Sequence, residues 1–333
     1  MSSNPHDALF KDVFGDPAHA RGALRSVMPP ALAEALDWSS LARQPGSFVD
    51  PALREQHTDL LFSVTWRSGG AALIFFLFEH QSTVDPAMGY RLLRYQLRIW
   101  ERWRATRPDE KRLPAILPVV LYHGTSPWSA PRSFSALFDL PSHVRPAIER
   151  SMVNFDYIVD DLSAIRDDEL RARAALTALG KLVELCFKHS RNRDEFLELL
   201  EGWGALMHEV MDAPNGLEAL RHVMGYILQV HDHKASVIAA VVERAAGPEA
   251  KEAIMTEGER LIQQGVQQGV QQGIQQGVQQ GQRDLLLLVL KGRFGTAVDA
   301  EAELRLATAS AEQLARWALR FHAAASLSEL FAG

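Results

Sequence analysis

The chain has 333 residues, 47% of them hydrophobic, and a formal net charge of −6, with an isoelectric point near 6.1. This is material for two or three folding units with ample core. It excludes a protein whose whole surface binds nucleic acid, so any such site must be a local basic patch on an acidic body. The lone Cys186 lies in the helical pattern LVELCF. It excludes an internal disulfide, reads as a small buried hydrophobe and fits a reducing compartment. The opening MSSNPHDALFKD is polar and charged, unlike a signal peptide, and no run approaches the ~20 apolar residues of a membrane span. We therefore expect a soluble cytoplasmic protein with no membrane partner.

Residues 6–14 read as a helix, with Asp7 as N-cap before Leu9, Phe10 and Val13. A second helical pattern covers 18–27 and is broken by Pro29 and Pro30. ALAEALDW resumes as a short helix to Trp38, and LARQPGSFVD reads as a loop with a turn at Pro45-Gly46. From Thr58, TDLLFSVTW is rich in β-branched and aromatic residues and stops at Arg67-Ser-Gly-Gly70, a hairpin turn.

Ala71 to Ser82, AALIFFLFEHQS, follows. Its uninterrupted apolar run suits a strand buried on both faces. Glu79 and Gln81 close it, two residues apart and so on one face. In an antiparallel hairpin Asp59, near the start of the first strand, neighbours Glu79, near the end of the second. Three polar groups thus meet at one end of a buried sheet.

Residues 86–104 read as a helix with Leu92, Leu93, Gln96, Leu97, Ile99, Trp100 and Trp103 on one face and Arg91, Arg94, Arg98 and Arg102 on the other. AILPVVLY is a further strand that Pro118 demotes from a central position or marks as bulged. Residues 124–148 are loop-like, and MVNFDYIVDDL closes the domain with a last strand. Residues 163–246 are helical throughout. Residues 262–281 repeat a four-residue unit, IQQG-VQQG-VQQG-IQQG-VQQG. Its aliphatic row drifts about 40° per repeat, and each glycine costs roughly 1 kcal/mol relative to alanine. Two readings stay open: a helix that associates with another copy, or a mobile linker. The tail from 283 is a small helical unit, with capping-box spacing at Ser310-Ala-Glu-Gln313.

Hydrolysing a phosphodiester with a divalent metal needs oxygen ligands that converge without filling the coordination sphere. Asp59 and Glu79 supply two carboxylates and the His80 backbone carbonyl a third oxygen. Gln81 can orient water or touch a phosphate oxygen, but it is neutral and cannot offset developing charge as lysine does. Arg91, Arg94, Arg98 and Arg102 make either a phosphate-tracking face or an ordinary solvated one. Lys11 is a further candidate phosphate contact, or an i,i+4 partner of Asp7. His57 and His80 beside Asp59 lack the remainder of a zinc ligand set. His123 reads as a turn residue, and Asp160-Asp161 as a helix cap.

HDALFKDVF, TDLLFSV, FLFEHQS, DPAMGYRLLRYQLRIW and LPVVLYHG, in that order over about residues 5–165, together resemble the Rpn family of recombination-promoting nucleases, which also carries a transposase label. KGRFG and EQLARWALR resemble a small domain often attached to that family. The resemblance implies the PD-(D/E)XK superfamily. Asp59 would be its first acid and Glu79-His80-Gln81 its E-x-K element, with Gln81 in place of lysine as in the variant E-x-Q form. It implies an α/β fold with a mixed β-sheet flanked by helices (a restriction-endonuclease-like core), Mg2+ as cofactor, and largely nonspecific cleavage of DNA in recombination or in defence against mobile DNA. The expected organisation is a nuclease domain over 1–165, a helical lobe over 166–250, the Gln/Gly repeat as helix or linker over 251–282, and the C-terminal helical unit over 283–333. The alternative is a catalytically silent nuclease fold that binds DNA or a protein partner.

Overall fold

A computed structural model describes residues 4–45, 59–69 and 74–332, with only the main chain at Asp59 and 74–79. Two sequence-based expectations fall outside these residues: His57, and the 46, 70 and 71–73 portions of the expected turns and strand.

Three helices open the chain: α1 (Pro5–Phe14), α2 (Pro17–Val27) and α3 (Pro30–Ala35). The cap of α1 is Asn4, not Asp7: the Asn4 side chain accepts from His6 N, and Pro5 takes the first helical position, where its missing N–H costs nothing. The sheet follows in the order β1 (Leu36–Arg43), β2 (Asp59–Trp66), β3 (Ile74–Gln81), β4 (Ala115–Tyr122) and β5 (Ile158–Asp161). β1, β2 and β3 are antiparallel neighbours; β3, β4 and β5 are parallel. The crossover from β3 to β4 is α4 (Met88–Thr106). Gly69, at φ 68°, holds the turn after β2 in a left-handed conformation that glycine adopts without strain.

The short helix expected over 31–38 forms up to Ala35, and β1 corrects that reading from Leu36 on and the loop reading over 41–43. Leu36, Trp38 and Leu41 are buried between more exposed residues, but the register against β2 shifts between Asp37 and Ala42. That irregularity breaks the period-2 pattern that marks a strand. Pro118 was expected to demote its strand, yet β4 lies inside the sheet. β5 begins opposite Val119, so Pro118 sits where β3 alone flanks it, and its missing N–H breaks no ladder on the β5 side.

Each face of the sheet is covered. Leu60, Phe62, Val64, Val119 and Leu121 join a large core with α1, α2 and the helical lobe. Leu61, Ile116, Val120 and Tyr122 join a second core under Leu92, Tyr95, Ile99 and Trp103 of α4. The buried stripe of α4 is rotated from the expected one: Tyr95 is inside and Leu97 is 48% exposed. The lobe comprises α5 (Ala178–Lys188), α6 (Phe196–Glu201), α7 (Gly204–Met211), α8 (Gly216–Val230) and α9 (Ala235–Ala246).

The chain divides into two compact units, 1–258 and 259–333, and the boundary falls inside one long helix, α10 (Pro248–Phe294). In the second unit, Leu286 and Leu290 of α10 pack with Leu306, Leu314, Trp317 and Leu330 of α11 (Ala300–Thr308), α12 (Ala311–Arg320) and α13 (Leu327–Phe331). The Ser310–Gln313 capping box starts α12. Among the described residues no helix is long and apolar enough to cross a membrane.

Candidate active site

The register sets Asp59 of β2 directly opposite Glu79 of β3. Hydrogen bonds on the outer sides of the two strands fix the kind of pair this is. Leu61 O accepts from Gln44 N (2.7 Å) on the β1 side, and Gln81 O accepts from His123 N (3.0 Å) on the β4 side. Along a strand, main-chain polar groups alternate in direction from residue to residue. Those of Asp59 therefore point toward β1, like Leu61's, and those of Glu79 toward β4, like Gln81's. Asp59 and Glu79 form a non-hydrogen-bonded pair, the closer of the two antiparallel arrangements, with Cα atoms about 4.5 Å apart. By the same alternation the His80 carbonyl turns toward β2, past Asp59, the last partner that β2 offers among the described residues.

Parity also assigns the faces. Asp59 shares the face of Leu61; Glu79 and Gln81 stand opposite Val120 and Tyr122. All belong to the α4 side of the sheet. Gln81 is half-buried at the rim. Among the described residues no three His, Cys, Asp or Glu side chains converge as a metal-ligating group. The register instead offers hard oxygens, two carboxylate residues and a main-chain carbonyl. That donor chemistry fits an ion such as Mg2+, which keeps several waters.

His80 faces the other way. It is 5% exposed, and its Nδ1 lies 3.4 Å from Asp7 Oδ1. Its ring stacks on Phe10 and on His123, at centroid distances of 5.2 and 4.6 Å. His123 is 1% exposed, and its Nδ1–H donates to Phe187 O (3.1 Å), so it is a core residue and not the expected turn residue. His6 lies 4.8 Å from the His123 ring and bonds the Tyr226 hydroxyl (2.8 Å). Burial, then the neighbouring His80 and Arg191, lowers the pKa of His6 to about 4. Burial, reinforced by His80 and His6, holds His123 well below its ordinary range. Burial also lowers that of His80 against the opposing pull of Asp7. Sequence reasoning missed this cluster; its only trace was a histidine in each of three separate motifs. Asp7 reaches His80, and Lys11 is exposed on α1.

The arginines of α4 do not act alike. Arg94, Arg98 and Arg102 are exposed, with Arg98 paired to Glu101 (3.0 Å). Arg91, expected with them, is turned inward: its side chain is 13% exposed and pairs with Asp85 at 3.1 Å. Asp160 and Asp161 end β5 and cap no helix. Asp161 accepts from Trp128 N (2.7 Å) and from Ser163, while Asp160 pairs with Arg173. Both are fixed in structural bonds on the far side of β4.

Residues 4–218 match the family described as "Putative transposase, YhgA-like". "Recombination-promoting nuclease RpnD" of Escherichia coli O157:H7 is 33% identical over 266 residues, covering 78% of this chain and 95% of the relative. "Recombination-promoting nuclease RpnA" of Escherichia coli K12 is 32% identical over 267 residues, covering 80% and 86%. "Inactive recombination-promoting nuclease-like protein RpnE" of the same strain is 31% identical over 267 residues, covering 79% and 83%. No solved structure matches the chain. With that family match over most of the sheet-bearing unit, and relatives covered over most of their length, the chain belongs to the YhgA-like family of recombination-promoting nucleases and nuclease-like proteins.

Proposed function

We propose that this chain is a Mg2+-dependent DNA endonuclease with little sequence preference, acting in recombination or in defence against mobile DNA. The observation that carries the reading is the direct pairing of Asp59 with Glu79 on adjacent strands. Asp59, Glu79 and the His80 carbonyl would hold the ion, which supplies Lewis-acid polarisation of the phosphate and a more acidic water. Gln81, two residues on at the rim, orients the attacking water or a phosphate oxygen. Arg94, Arg98 and Arg102 lie along an exposed helix face suited to the DNA backbone. The test is nicking of supercoiled plasmid in Mg2+. The wild type cleaves, and Asp59→Ala and Glu79→Ala abolish cleavage while retaining the fold. Equal cleavage by all three proteins would reject the site.

A second reading has its own support. Gln81 stands where the superfamily has lysine, and a relative named inactive matches about as well as those named nucleases. In that case the domain is a silent module that binds DNA or a protein. Calorimetric Mg2+ binding, measured beside cleavage of labelled DNA, separates the two.

The repeat is proposed to join two copies of the chain. Ile262, Val266, Val270, Ile274 and Val278 are 56–68% exposed along α10. A Cβ added at Gly265, Gly269, Gly273, Gly277 or Gly281 would meet nothing within 4 Å. Among the described residues no packing contact therefore asks for these glycines, although each weakens the helix by about 1 kcal/mol. The aliphatic row forms an i±4 ridge beside a groove floored by glycine, and ridge and groove of equal spacing are self-complementary.

A further inference from the structure

β3 and β4 run out together at the site end of the sheet, where Gln81 pairs with Tyr122. The next residues, Ser82 and His123, present carbonyls to one side chain. Arg191, in the turn after α5, sends Nη1–H to His123 O and Nη2–H to Ser82 O, each at 3.2 Å. These bonds pin the guanidinium across the ends of both strands, one residue beyond Gln81. Arg191 comes to these strand ends from the lobe side, where it contributes to lowering the pKa of both His6 and His123, while the acids stand on the α4 side of the same edge.

Two features separate this arginine from a structural ion pair. Among the described residues no carboxylate pairs with it, whereas Arg91, Arg98, Arg166, Arg173, Arg193, Arg244 and Arg305 each pair with an acid. A guanidinium carries five N–H donors in a planar fork. The two carbonyls take two, and the residue is exposed. Arg145 and Arg293 also hold two carbonyls with no pairing acid among the described residues, but Arg191 alone of the three does so at the strand ends beside Gln81, with donors left over in a fork that matches phosphate oxygens.

We infer that Arg191 binds a phosphate of the DNA at the ends of β3 and β4, next along the DNA backbone from the Asp59–Glu79 pair, and supplies at that edge the positive charge that Gln81 lacks. This rests on the nuclease reading for its catalytic consequence, though the phosphate contact can be measured without it. As water attacks and the P–O bond to the leaving strand lengthens, negative charge grows on the non-bridging oxygens. A preorganised cation held by main-chain carbonyls stabilises that charge without reorganising. The helical lobe thereby contributes a functional group to a site whose acids come from the sheet.

The test uses the full chain, Asp59→Ala as a control, and four further variants: Arg191→Ala, Arg191→Gln, Gln81→Lys and the double Arg191→Ala/Gln81→Lys. Binding of a 20-base-pair duplex is first followed against salt in EDTA. Loss of one phosphate contact lowers the slope of log K against log salt by about 1. Arg191→Ala and Arg191→Gln are expected to show that loss. Arg191→Gln can still donate to a carbonyl, so an unchanged slope in both variants overturns the proposal in favour of a strand staple. Plasmid nicking in Mg2+ is then measured. Arg191→Ala should fall about 100- to 1,000-fold, the usual effect of losing one transition-state donor. Gln81→Lys in that background should restore most of the rate by placing a charge at the neighbouring position. A wild-type rate in Arg191→Ala, or no recovery in the double variant, overturns the catalytic role. If the wild type does not nick at all but loses the salt slope on substitution, the phosphate contact stands and the nuclease reading falls. If Asp59→Ala abolishes nicking while Arg191→Ala changes neither measurement, the reverse holds.

Discussion

Asp59 and Glu79 occupy a non-hydrogen-bonded pair of the β2–β3 ladder, with their main-chain groups turned outward to β1 and β4. Like charges at such positions destabilise a sheet by several tenths of a kcal/mol to about 1 kcal/mol. Function and stability are therefore expected to oppose each other here. Without divalent metal, Asp59→Asn and Glu79→Gln should melt at or above the wild-type temperature. With Mg2+ the wild type should gain stability by mass action and the variants should not. Calorimetric melts with and without Mg2+ check this, and a variant that melts well below wild type in EDTA contradicts it.

A buried ion triad ties β5 to the lobe. Arg173 pairs with Asp160 through two bonds of 2.7 Å and with Glu184 at 3.0 Å, and the two acids are 4% and 0% exposed. Burial, reinforced by Asp160, raises the Glu184 pKa well above the usual carboxylate range. Removing the cation should cost far more than neutralising Glu184. Arg173→Met is expected to destabilise by about 3–5 kcal/mol because it leaves buried acids uncompensated. Glu184→Gln should stay within about 1 kcal/mol of wild type, since it replaces an acid already driven toward its neutral form. Urea denaturation at pH 7 measures both, and equal losses would refute the assignment.

Two desolvated histidines set a pH dependence. His6 and His231 each have pKa values lowered to about 4, chiefly by burial. The unfolded chain takes up these protons near pH 6.5, so between pH 6.5 and 4 it binds more protons than the fold does. Stability then rises with pH across that window and is lost on acidification. The urea midpoint should fall from pH 7 to pH 5, and His6→Asn should show a smaller fall. A midpoint independent of pH over this range would count against neutral burial.

The repeat gives a test in solution. Deleting 262–281 should lower the mass found by light scattering while leaving the melting of the sheet-bearing unit within a few degrees of wild type. Replacing Gly265, Gly269, Gly273 and Gly277 by alanine should raise helicity by circular dichroism, because alanine is the better helix former. It should weaken association by filling the groove. An unchanged mass in the deletion would make the segment a spacer.

Much of this was legible in the residues. The paired strands, the antiparallel hairpin that aligns Asp59 with Glu79, the helix after β3 and the repeat all follow from local patterns of period 2, 3.6 or 4. β1 was not legible, because its register shift erases the alternation. The inward turn of Arg91 was not, because the buried stripe of α4 is chosen by the sheet beneath it, which admits Tyr95 and leaves Leu97 outside.

The sequence alone determined the strands from β2 to β5 and the acids on β2 and β3, since steric preference and apolar spacing act between near neighbours. Only the tertiary structure decided that His6 joins the buried His80 and His123 in one cluster, and that Arg191 of the lobe closes over the ends of β3 and β4. Those contacts join residues from about 40 to more than 100 positions apart. No local propensity encodes them. They arise when two apolar surfaces of the same chain, the sheet face and the lobe, are buried against each other.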